Sequence, residues 1–447
     1  MTTHVFSGPT MSPPEVRGFL PRAVAHPPVS HGDLHRIGCG PDDKVLIIDG
    51  LFQQRIPIRH KEILDVMAAG TRVVGAASMG ALRAAELHTY GMKGIGEVFH
   101  AYRTGGLTAD DEVAVAHQED GSYAALSEPL VNIRHTLASA LRAAAVTGDE
   151  ARALLHLSKS LPYYERSWPR LARCAGPASG GLRRAVDRVL EHLALVPAAA
   201  DLKRQDALRA LSHLRDAADD RPSSPPVIPP SARWRTNFAA SWEAHHRGET
   251  ALGTHVPYAA VLRYHQVFQR SFASSWREYV LRHVAGTRAG HASSEEVETA
   301  ALQAARRAGI SADTLPTHRL THWLTKDELL GLDEREQLLR LLVRSYRVRP
   351  GAAPFTASTP ALRRLVGDWP TAVRRVVTHT DVAHASGPRG FPGPADTLAL
   401  CERLVGMWEV DTNAGRTLTA AARDRGLPTV RQALDILRAH PTGEVVE

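Results

Sequence analysis

The sequence VVGAASMGALRAAEL, from Val73 to Leu87, passes from a strand pattern into a helix pattern through a turn of small residues. The strand half is short and apolar, as expected of a strand that is covered on both faces. The helix half begins after Ser78, and serine is a common N-cap residue. Such an abrupt strand-to-helix turn is typical of open α/β sheets, and it makes the role of the Ser78 hydroxyl the central question.

The segments on either side of this stretch also alternate between strand and helix patterns. Ser12 and Glu15 form a capping-box pattern that predicts a helix start in SPPEVRGFL. We therefore predict an α/β core domain over residues 1–146, with an open, mostly parallel, Rossmann-like sheet. The predicted strands are HVF (4–6), KVLIID (44–49), RVVGAA (72–77) and EVAVAH (112–117), and two further predicted helices are HKEILDVMAAG (60–70) and SEPLVNIRHTLASALRAAAV (127–146).

Strand patterns disappear after residue 146. Residues 147–220 are predicted to form a helical extension, and RPSSPPVIPPSA (221–232) has the composition of a linker. Residues 233–447 are predicted to form an α-helical C-terminal domain, with one long helix from about Tyr258 to Val284.

Tryptophans in this C-terminal domain fall near expected helix surfaces, at Trp234, Trp242 and Trp276. Aromatic residues of this kind are enriched at protein interfaces, which favours partner binding by the helical half. Packing of the same side chains in a core is the alternative.

The composition is that of an ordinary globular protein of 447 residues, with 43% hydrophobic and 23% charged residues. The three cysteines are odd in number and far apart, which predicts neither disulfides nor a metal site. The net charge of +7 comes from dispersed arginines and not from a basic, aromatic patch, so nucleic acid is not an expected partner. We expect a cytoplasmic protein without metal, cofactor or membrane segment.

The carboxyl ends of parallel strands meet at one edge of a sheet, and ligands bind there. Small residues at these positions permit a ligand to approach the backbone, and the free N–H groups at the start of the helix after Ser78 favour an anion. The residues predicted to gather at this edge are Gly8, Pro9, Asp49, Gly50, Ser78, Met79, Gly80 and His117.

Three roles are open for Ser78: nucleophile, part of an anion cradle, or helix cap alone. AASMG resembles a nucleophile elbow, in which a sharp turn exposes a serine beside backbone donors. A nucleophile needs a base, and His88 lies about 15 Å along the same helix, which is too far. His117 is the preferred candidate, with Asp49 to orient it, and His60 is the second.

Other polar residues have equally open roles. Arg83 is placed to reach an anion or to pair with Glu86 three residues later. The run Asp110-Asp111-Glu112 suits either a cation or a solvated turn. Glu128 and Asn132 share one face of a predicted helix.

Several motifs together resemble the TfuA-like family, in order and over about residues 4–145. One departure is Ala77, which stands where the family pattern has a serine and so removes one hydroxyl beside Ser78. The motifs are FSGPT, HGDL, IIDGLF, HKEIL, GAASMGALRAAEL, YGMKGIGEVFHAYRTGGLTADDEVAVAH and SEPLVNIRHTL.

The resemblance implies a role in installing thioamides in the backbone of ribosomal peptides. TfuA-like proteins work beside YcaO enzymes, which use ATP to phosphorylate an amide oxygen that a sulfur nucleophile then displaces. The resemblance implies that this chain releases or delivers sulfide from the thiocarboxylate tail of a ubiquitin-like carrier. The alternatives are a non-catalytic activator that docks on YcaO, and an α/β protein that binds a small anion or nucleotide.

The predicted site combines the strand ends with the polar positions that recur in the family. Backbone N–H groups of Met79 and Gly80 are predicted to form an oxyanion hole. The resemblance implies YcaO and the carrier as partners, with the precursor peptide as a further candidate. The predicted catalytic residues are Ser78, His117 and Asp49, and the predicted substrate-binding residues are Gly8, Pro9, Gly50, His60, Glu62, Met79, Gly80, Arg83, Asp111, Glu128, Asn132 and Arg134.

Overall fold

The computed structural model describes residues 1–51, 55–118, 121–178, 180–216, 228–229, 242–243, 245–286, 292–311, 314–346, 359–380, 394–411 and 417–446. The chain forms two compact units, residues 1–235 and residues 236–447, and each has its own hydrophobic core. The domain boundaries predicted at 146 and 233 stay predictions. Within the described ranges, no helix has the length and apolar character needed to cross a membrane.

The first unit alternates strands and helices up to about residue 103 and is helical from residue 130 onward. Its strands are β1 (Thr3–Phe6), β2 (Val24–His26), β3 (Lys44–Ile47), β4 (Arg72–Ala76) and β5 (Lys93–Ile95). Its helices are α1 (Pro13–Phe19), α2 (Asp33–Ile37), α3 (His60–Ala68), α4 (Met79–Leu87), α5 (Glu97–Arg103), α6 (Leu130–Arg142), α7 (Gly148–Ser160), α8 (Trp168–Ala178), α9 (Gly180–Leu195) and α10 (Leu202–Asp216).

The five strands form one parallel sheet in the order β2-β1-β3-β4-β5, which confirms the predicted α/β class. The apolar run that begins in β3 is continuous because alternate residues face opposite sides of the sheet and both sides are buried. Val45 and Ile47 pack into a core cluster that includes residues of α3, whereas Leu46 and Ile48 pack into a second cluster on the other face. Both clusters are closed by helices, so the sheet is buried on both faces.

Helix α10 covers the second face of the sheet, although it follows β4 by more than 120 residues. Its side chains Ala207, Ala210 and Leu211 are fully buried against the strands. Asp206 on the same helix accepts hydrogen bonds from the backbone N–H groups of Glu97 and Val98 at 3.0 and 2.8 Å, and so caps the start of α5. Helix α10 therefore joins a distant part of the chain to the sheet.

The strand predicted over residues 112–117 is wrong. The chain instead makes a short 3-10 turn at Asp110–Glu112 and then runs as irregular backbone. His117 forms a single antiparallel bridge with Ala125. The carbonyl of Val113 accepts hydrogen bonds from side chains, Ser78 and Lys203, where a strand would have a backbone partner. The apolar pattern arises because several of these residues are buried, although they do not belong to the sheet.

Helix α4 lies unusually close to the strands because two glycines face each other. A Cβ added at Gly80 would lie 1.7 Å from the carbonyl oxygen of Ile47, and one added at Gly75 would lie 2.0 Å from the carbonyl oxygen of Gly80. The Gly80 N–H donates to the carbonyl of Ile48 at 3.2 Å. These glycines are thus required for packing of the backbone.

The second unit is largely helical, with one antiparallel hairpin. Its hairpin strands are β6 (Gly248–Ala251) and β7 (Thr254–Pro257), and its helices are α11 (Tyr258–Phe268), α12 (Phe272–Ala285), α13 (Ser294–Arg307), α14 (Thr317–Trp323), α15 (Lys326–Gly331), α16 (Glu334–Ser345), α17 (Thr359–Val366), α18 (Trp369–His379), α19 (Pro394–Trp408), α20 (Leu418–Asp424) and α21 (Val430–Ala439).

The single long helix predicted from Tyr258 to Val284 is wrong, because the chain breaks between α11 and α12. Gln269 adopts an extended conformation with ψ of 122°, and its N–H caps α11 on the carbonyl of His265. Trp276 is fully buried in the core of this unit, so its prediction as a surface aromatic is also wrong. Trp242 is half-buried, and Trp234 lies outside the described residues.

The close contact of α4 with the sheet predicts that Gly80→Ala destabilises the first unit. The added methyl group overlaps the Ile47 carbonyl, so the helix must move, at a cost of about 1–3 kcal/mol or more. Gly148→Ala is the matched control, since a Cβ there meets nothing within 4 Å. Urea denaturation should show a lower midpoint for the first variant alone. Equal midpoints would show that α4 adapts without cost.

Two buried histidines predict that the second unit loses stability in mild acid. Burial lowers the pKa of His265 and of His440 to about 4, so the folded unit keeps both neutral where the unfolded chain is protonated. Their contribution is complete above about pH 6.5 and is lost as pH falls towards 4, by up to about 3 kcal/mol for each. Urea denaturation at pH 7.5 and 5, followed by tryptophan fluorescence, measures the loss. His265→Gln should remove about half of this pH dependence, and an unchanged dependence would assign it to other groups.

Candidate active site

The carboxyl ends of β1, β3 and β4 meet at one edge of the sheet, as the sequence predicts, and a cavity of about 200 Å³ opens there. We refer to it as the serine cavity. Its polar and aromatic lining includes Asp49, Ser78, His117, Tyr163, Tyr164 and Lys203.

A second cavity of about 240 Å³ adjoins the first and shares Pro9, Val115 and Lys203 with it. We refer to it as the glutamate cavity. Its polar lining includes Thr10, Ser127, Glu128, Asn132, Asp201 and Lys203.

Ser78 is presented by a strained turn. The Ser78 N–H donates to the carbonyl of Ala76 at 2.7 Å across Ala77, whose φ is 65°. A non-glycine residue with positive φ costs energy, and such strain concentrates at functional sites. The Ser78 side chain is only 3% exposed and makes no capping hydrogen bond to α4. A role as helix cap alone is therefore wrong for this hydroxyl.

The Ser78 hydroxyl instead points to the carbonyl of Val113, at a long distance of 3.5 Å from Oγ. Lys203 Nζ donates to that same carbonyl at 3.1 Å. A serine hydroxyl and a lysine amine thus meet at one oxygen atom in the wall of the serine cavity. Both side chains therefore lie within hydrogen-bond reach of the same carbonyl oxygen, and a serine nucleophile needs a base in its neighbourhood.

Lys203 is held in an environment that favours its neutral form. The side chain is 3% exposed, and burial lowers the pKa of Lys203 despite the opposing carboxylates of Asp49, Asp201 and Glu128. Its Nζ lies 3.7 Å from Asp49 Oδ1. Lysines that act as general bases in enzymes occupy buried environments of this kind.

Lys203 was missed by the sequence predictions, although one pattern could have indicated it. On α10, Lys203 lies in the same helical stripe as Ala207, Ala210 and Leu214, all of which are buried. A lysine at a core-facing position of an amphipathic helix needs a buried partner. Nothing in the linear pattern, however, says that this partner is Asp49.

Asp49 serves as an acceptor for the loop after β1. Its Oδ2 accepts hydrogen bonds from the N–H groups of Gly8 and Thr10 at 3.0 and 2.9 Å, and its Oδ1 accepts one from Thr10 Oγ1 at 2.6 Å. Together with the contact to Lys203, these bonds occupy both oxygens. Its predicted role as the group that orients His117 has no hydrogen bond to support it in the described structure.

His117 lines the serine cavity but is oriented by its own loop. Its Nδ1 lies 2.9 Å from the carbonyl of Gln118, so this nitrogen carries the proton and Nε2 is the basic atom of the neutral ring. The ring packs at 5.4 Å from that of Tyr123. Among the described contacts none joins His117 to Ser78, and its role as base stays a prediction.

The predicted oxyanion hole loses one of its two donors. The Gly80 N–H is bonded to the Ile48 carbonyl and so is not directed at a ligand. The strand-end glycines are likewise needed for packing, since a Cβ at Gly8 would lie 2.4 Å from Pro28 and one at Gly50 would lie 2.7 Å from Met79. Their presence is no sign of a ligand.

Three predicted residues lie away from both cavities in two clusters. His60 Nε2 and Arg83 Nη1 both contact Glu86 Oε2, at 2.8 and 2.6 Å, on the outer side of α4. Glu62 is buried, and its carboxylate accepts the N–H groups of Gly32 and Leu34, both at 2.9 Å. Although burial opposes it, these bonds and the nearby histidines keep the pKa of Glu62 below its usual value. These contacts hold α2 and α3 in place.

Asp111 lies in the turn that precedes Val113, and Arg134 contacts that turn. Arg134 makes two bonds to Glu112, at 2.9 and 2.8 Å. Asp111 Oδ2 accepts a bond of 2.6 Å from Arg166, a residue that the sequence analysis did not single out and that is 1% exposed. Arg166 also donates to the carbonyl of Asp111 at 2.8 Å. These ion pairs fix the wall of the serine cavity.

Glu128 and Asn132 both line the glutamate cavity, although α6 begins at Leu130, so Glu128 precedes the helix and does not share a helical face with Asn132. Asn132 donates to Asp201 Oδ1 at 3.0 Å and accepts the backbone N–H of Lys203 at 3.2 Å. Glu128 is half-buried, and burial followed by the charge of Asp201 raises the pKa of its carboxyl. Asn132 and Asp201 thus orient the start of α10, on which Lys203 lies.

Metal binding and thiol chemistry would depend on histidine, acidic and cysteine side chains, among them Cys39 of the first unit. Among the described residues, no group of three histidine, cysteine or acidic side chains comes together in a way that could hold a metal ion. Cys39 is half-buried, and burial raises the pKa of its thiol to about 12. This cysteine is therefore protonated at neutral pH and is a poor nucleophile.

Comparison with known proteins confirms the family resemblance. Residues 49–167 match the family model described as TfuA-like protein, a segment that includes Ser78, Val113, His117 and Glu128. Lys203 and the loop after β1 lie outside the matched segment. No curated protein matches the chain.

The absence of a capping bond predicts that Ser78→Ala hardly changes stability. A serine that caps its helix loses about 1 kcal/mol on truncation, whereas we expect less than about 0.5 kcal/mol here. Thr147→Ala is the matched control, because Thr147 Oγ1 accepts the Glu150 N–H at 3.2 Å and caps α7 in the same unit. Urea denaturation of both variants makes the comparison. A loss at Ser78 as large as that at Thr147 would restore the capping role.

Proposed function

We propose that this chain hydrolyses the thiocarboxylate tail of a small ubiquitin-like carrier and so supplies sulfide to a YcaO enzyme for peptide thioamidation. The observation that carries the proposal is the meeting of Ser78 and Lys203 at the carbonyl of Val113. The TfuA-like segment supports the biological setting, because the resemblance links it to thioamide formation.

The first chemical step uses Ser78 as nucleophile and Lys203 as base. A side-chain rotation that turns Nζ from the Val113 carbonyl towards Oγ lets the amine take the serine proton. Oγ then forms a bond to the thiocarboxylate carbon, and the carbon–sulfur bond breaks. Sulfur leaves with the electron pair and receives the proton from Lys203 as hydrosulfide, which leaves the carrier as an ester of Ser78.

The shape of the site suits a thin chain terminus. The serine cavity is small, at about 200 Å³, and Tyr163 and Tyr164 line it. Tyr164 is 59% exposed and offers an aromatic surface at the entrance. A Gly-Gly tail has no side chains and can enter such a cavity, whereas a bulky peptide segment cannot. We therefore place the precursor peptide on YcaO and not in this cavity.

His117 is the alternative base, since it lines the same cavity with Nε2 as its basic atom. Lys203 is favoured because it reaches the carbonyl that Ser78 contacts and is almost completely buried. A non-catalytic role as an activator of YcaO requires no such pairing of serine and lysine. The two roles are separated by assaying the chain without YcaO.

The proposal predicts sulfide release when the purified chain alone meets a thiocarboxylated carrier. Ser78→Ala and Lys203→Met should each lower the rate at least roughly a hundredfold, the scale of a positioned nucleophile or base. The double variant should be little worse than either single one, because both residues act in one step. A sulfide probe and carrier mass measure the reaction, with folding checked by circular dichroism.

Two histidine variants complete this test. His117→Ala should retain most of the rate if Lys203 is the base, and a loss equal to that of Lys203→Met would give the histidine that role. His60→Ala is the control, since His60 pairs with Glu86 outside the cavity. Absence of sulfide from the wild-type chain, together with faster YcaO turnover on its addition, would favour the activator.

A further inference from the structure

The glutamate cavity has no part in the first chemical step, although it adjoins the serine cavity through Lys203. We infer that Glu128 takes a proton from the water molecule that hydrolyses the ester on Ser78, and that the glutamate cavity holds this water. The inference rests on the proposed function and deepens it by assigning the second half of the reaction.

The lining of the glutamate cavity suits water. Its volume of about 240 Å³ holds several water molecules, and hydroxyl, amide and carboxyl groups line it. Pro9, Val115 and Lys203 line both cavities, so water in the glutamate cavity shares these three residues with the cavity that holds Ser78. The serine cavity itself is filled by the carrier tail at that stage.

Glu128 is the carboxyl group of this cavity that is available for proton transfer. Asp201 Oδ1 accepts hydrogen bonds from Asn132 Nδ2 and the Arg204 N–H at 3.0 and 2.9 Å, and so serves the start of α10. The Glu128 backbone is fixed, since its N–H donates to the Arg166 carbonyl at 2.7 Å. The described hydrogen bonds include none to the carboxyl of Glu128.

The electrostatic environment supports a role in accepting protons. Burial and the charge of Asp201 raise the pKa of Glu128, which makes its carboxylate a stronger base than an exposed glutamate. Glu128 and Lys203 also act on each other electrostatically across the cavity. A proton accepted by Glu128 therefore has a neighbouring amine to which it can pass.

The second step balances with these groups alone. The water oxygen attacks the ester carbon while Glu128 takes one water proton. The bond between that carbon and Ser78 Oγ breaks, and the electron pair stays on Oγ. Lys203 relays the proton from Glu128 to Oγ, which restores the serine. The carrier leaves as a carboxylic acid that ionises in solvent, so each turnover consumes one thiocarboxylate and one water and yields hydrosulfide, carboxylate and one proton.

The test compares the two steps in Glu128→Gln, using the full chain and thiocarboxylated carrier. The first turnover should release about one sulfide per chain at a near-normal rate. Later turnovers should be roughly a hundredfold slower than in the wild type, because the ester accumulates. Mass spectrometry should find the carrier attached at Ser78, and hydroxylamine, which attacks esters without a protein base, should release it as the hydroxamate.

Control variants separate this role from a structural one. Glu128→Asp keeps a carboxyl and should recover much of the later rate, whereas Glu191→Gln changes an exposed glutamate and should leave both phases unchanged. Normal later turnovers in Glu128→Gln would overturn the inference, and so would slow release with no initial burst. Either result beside an inactive Ser78→Ala would leave the proposed function standing. Sulfide release by Ser78→Ala at the wild-type rate would overturn the serine mechanism and this inference with it, and absence of sulfide from the wild-type chain would overturn the proposed function.

Discussion

The buried contact between Asp49 and Lys203 is the interaction on which the rest of the site depends. Lys203 Nζ lies 3.7 Å from Asp49 Oδ1, and both side chains are almost fully buried. Removing Lys203 would leave the Asp49 carboxylate buried without this contact, which is a severe cost. Because Asp49 lies two residues after β3 and Lys203 is the second residue of α10, this contact also joins the first turn of the helix to the edge of the sheet.

The Asp49 carboxylate also holds the loop after β1. Asp49 accepts two backbone N–H groups and the hydroxyl of Thr10, so its negative charge is satisfied by donors from the loop as well as by Lys203. The loop in turn contributes Pro9 to the wall between the two cavities. The Asp49 carboxylate thus fixes the loop that helps to shape both cavities.

The sequence predicts the three central strands, β1, β3 and β4, because they carry their own signals, whereas the short edge strands β2 and β5 were not predicted. The apolar run of β3, the small residues after β4 and the capping box of Ser12 and Glu15 all depend on neighbouring residues, and the structure confirms each of them. The predicted strand over residues 112–117 failed because burial of Val113 comes from contacts with distant side chains. Apolar periodicity alone cannot separate a strand from buried irregular backbone.

The site was predicted only in part, for a related reason. Ser78, Asp49 and His117 follow strand patterns, and the structure brings them to one cavity. Lys203 comes from a helix far along the chain, and Arg166 from a loop between helices, so no local pattern connects either to the strand ends. The glycines at the strand ends were predicted to make room for a ligand. The structure requires them for a different reason, because a Cβ at these positions would overlap neighbouring protein atoms.

The position of Lys203 also has a consequence for how this protein could be divided. The segment that matches the TfuA-like family ends at residue 167, before α10 begins. A fragment trimmed to that segment would keep Ser78 but lose Lys203, the strands β1 to β3 with the loop after β1, and the helix α10 that covers one face of the sheet. A gene fusion or recombination event that preserves the proposed site must therefore include a longer segment than the one that matches the family. Ser78 and Lys203 stay in one polypeptide only when the helices between them are retained.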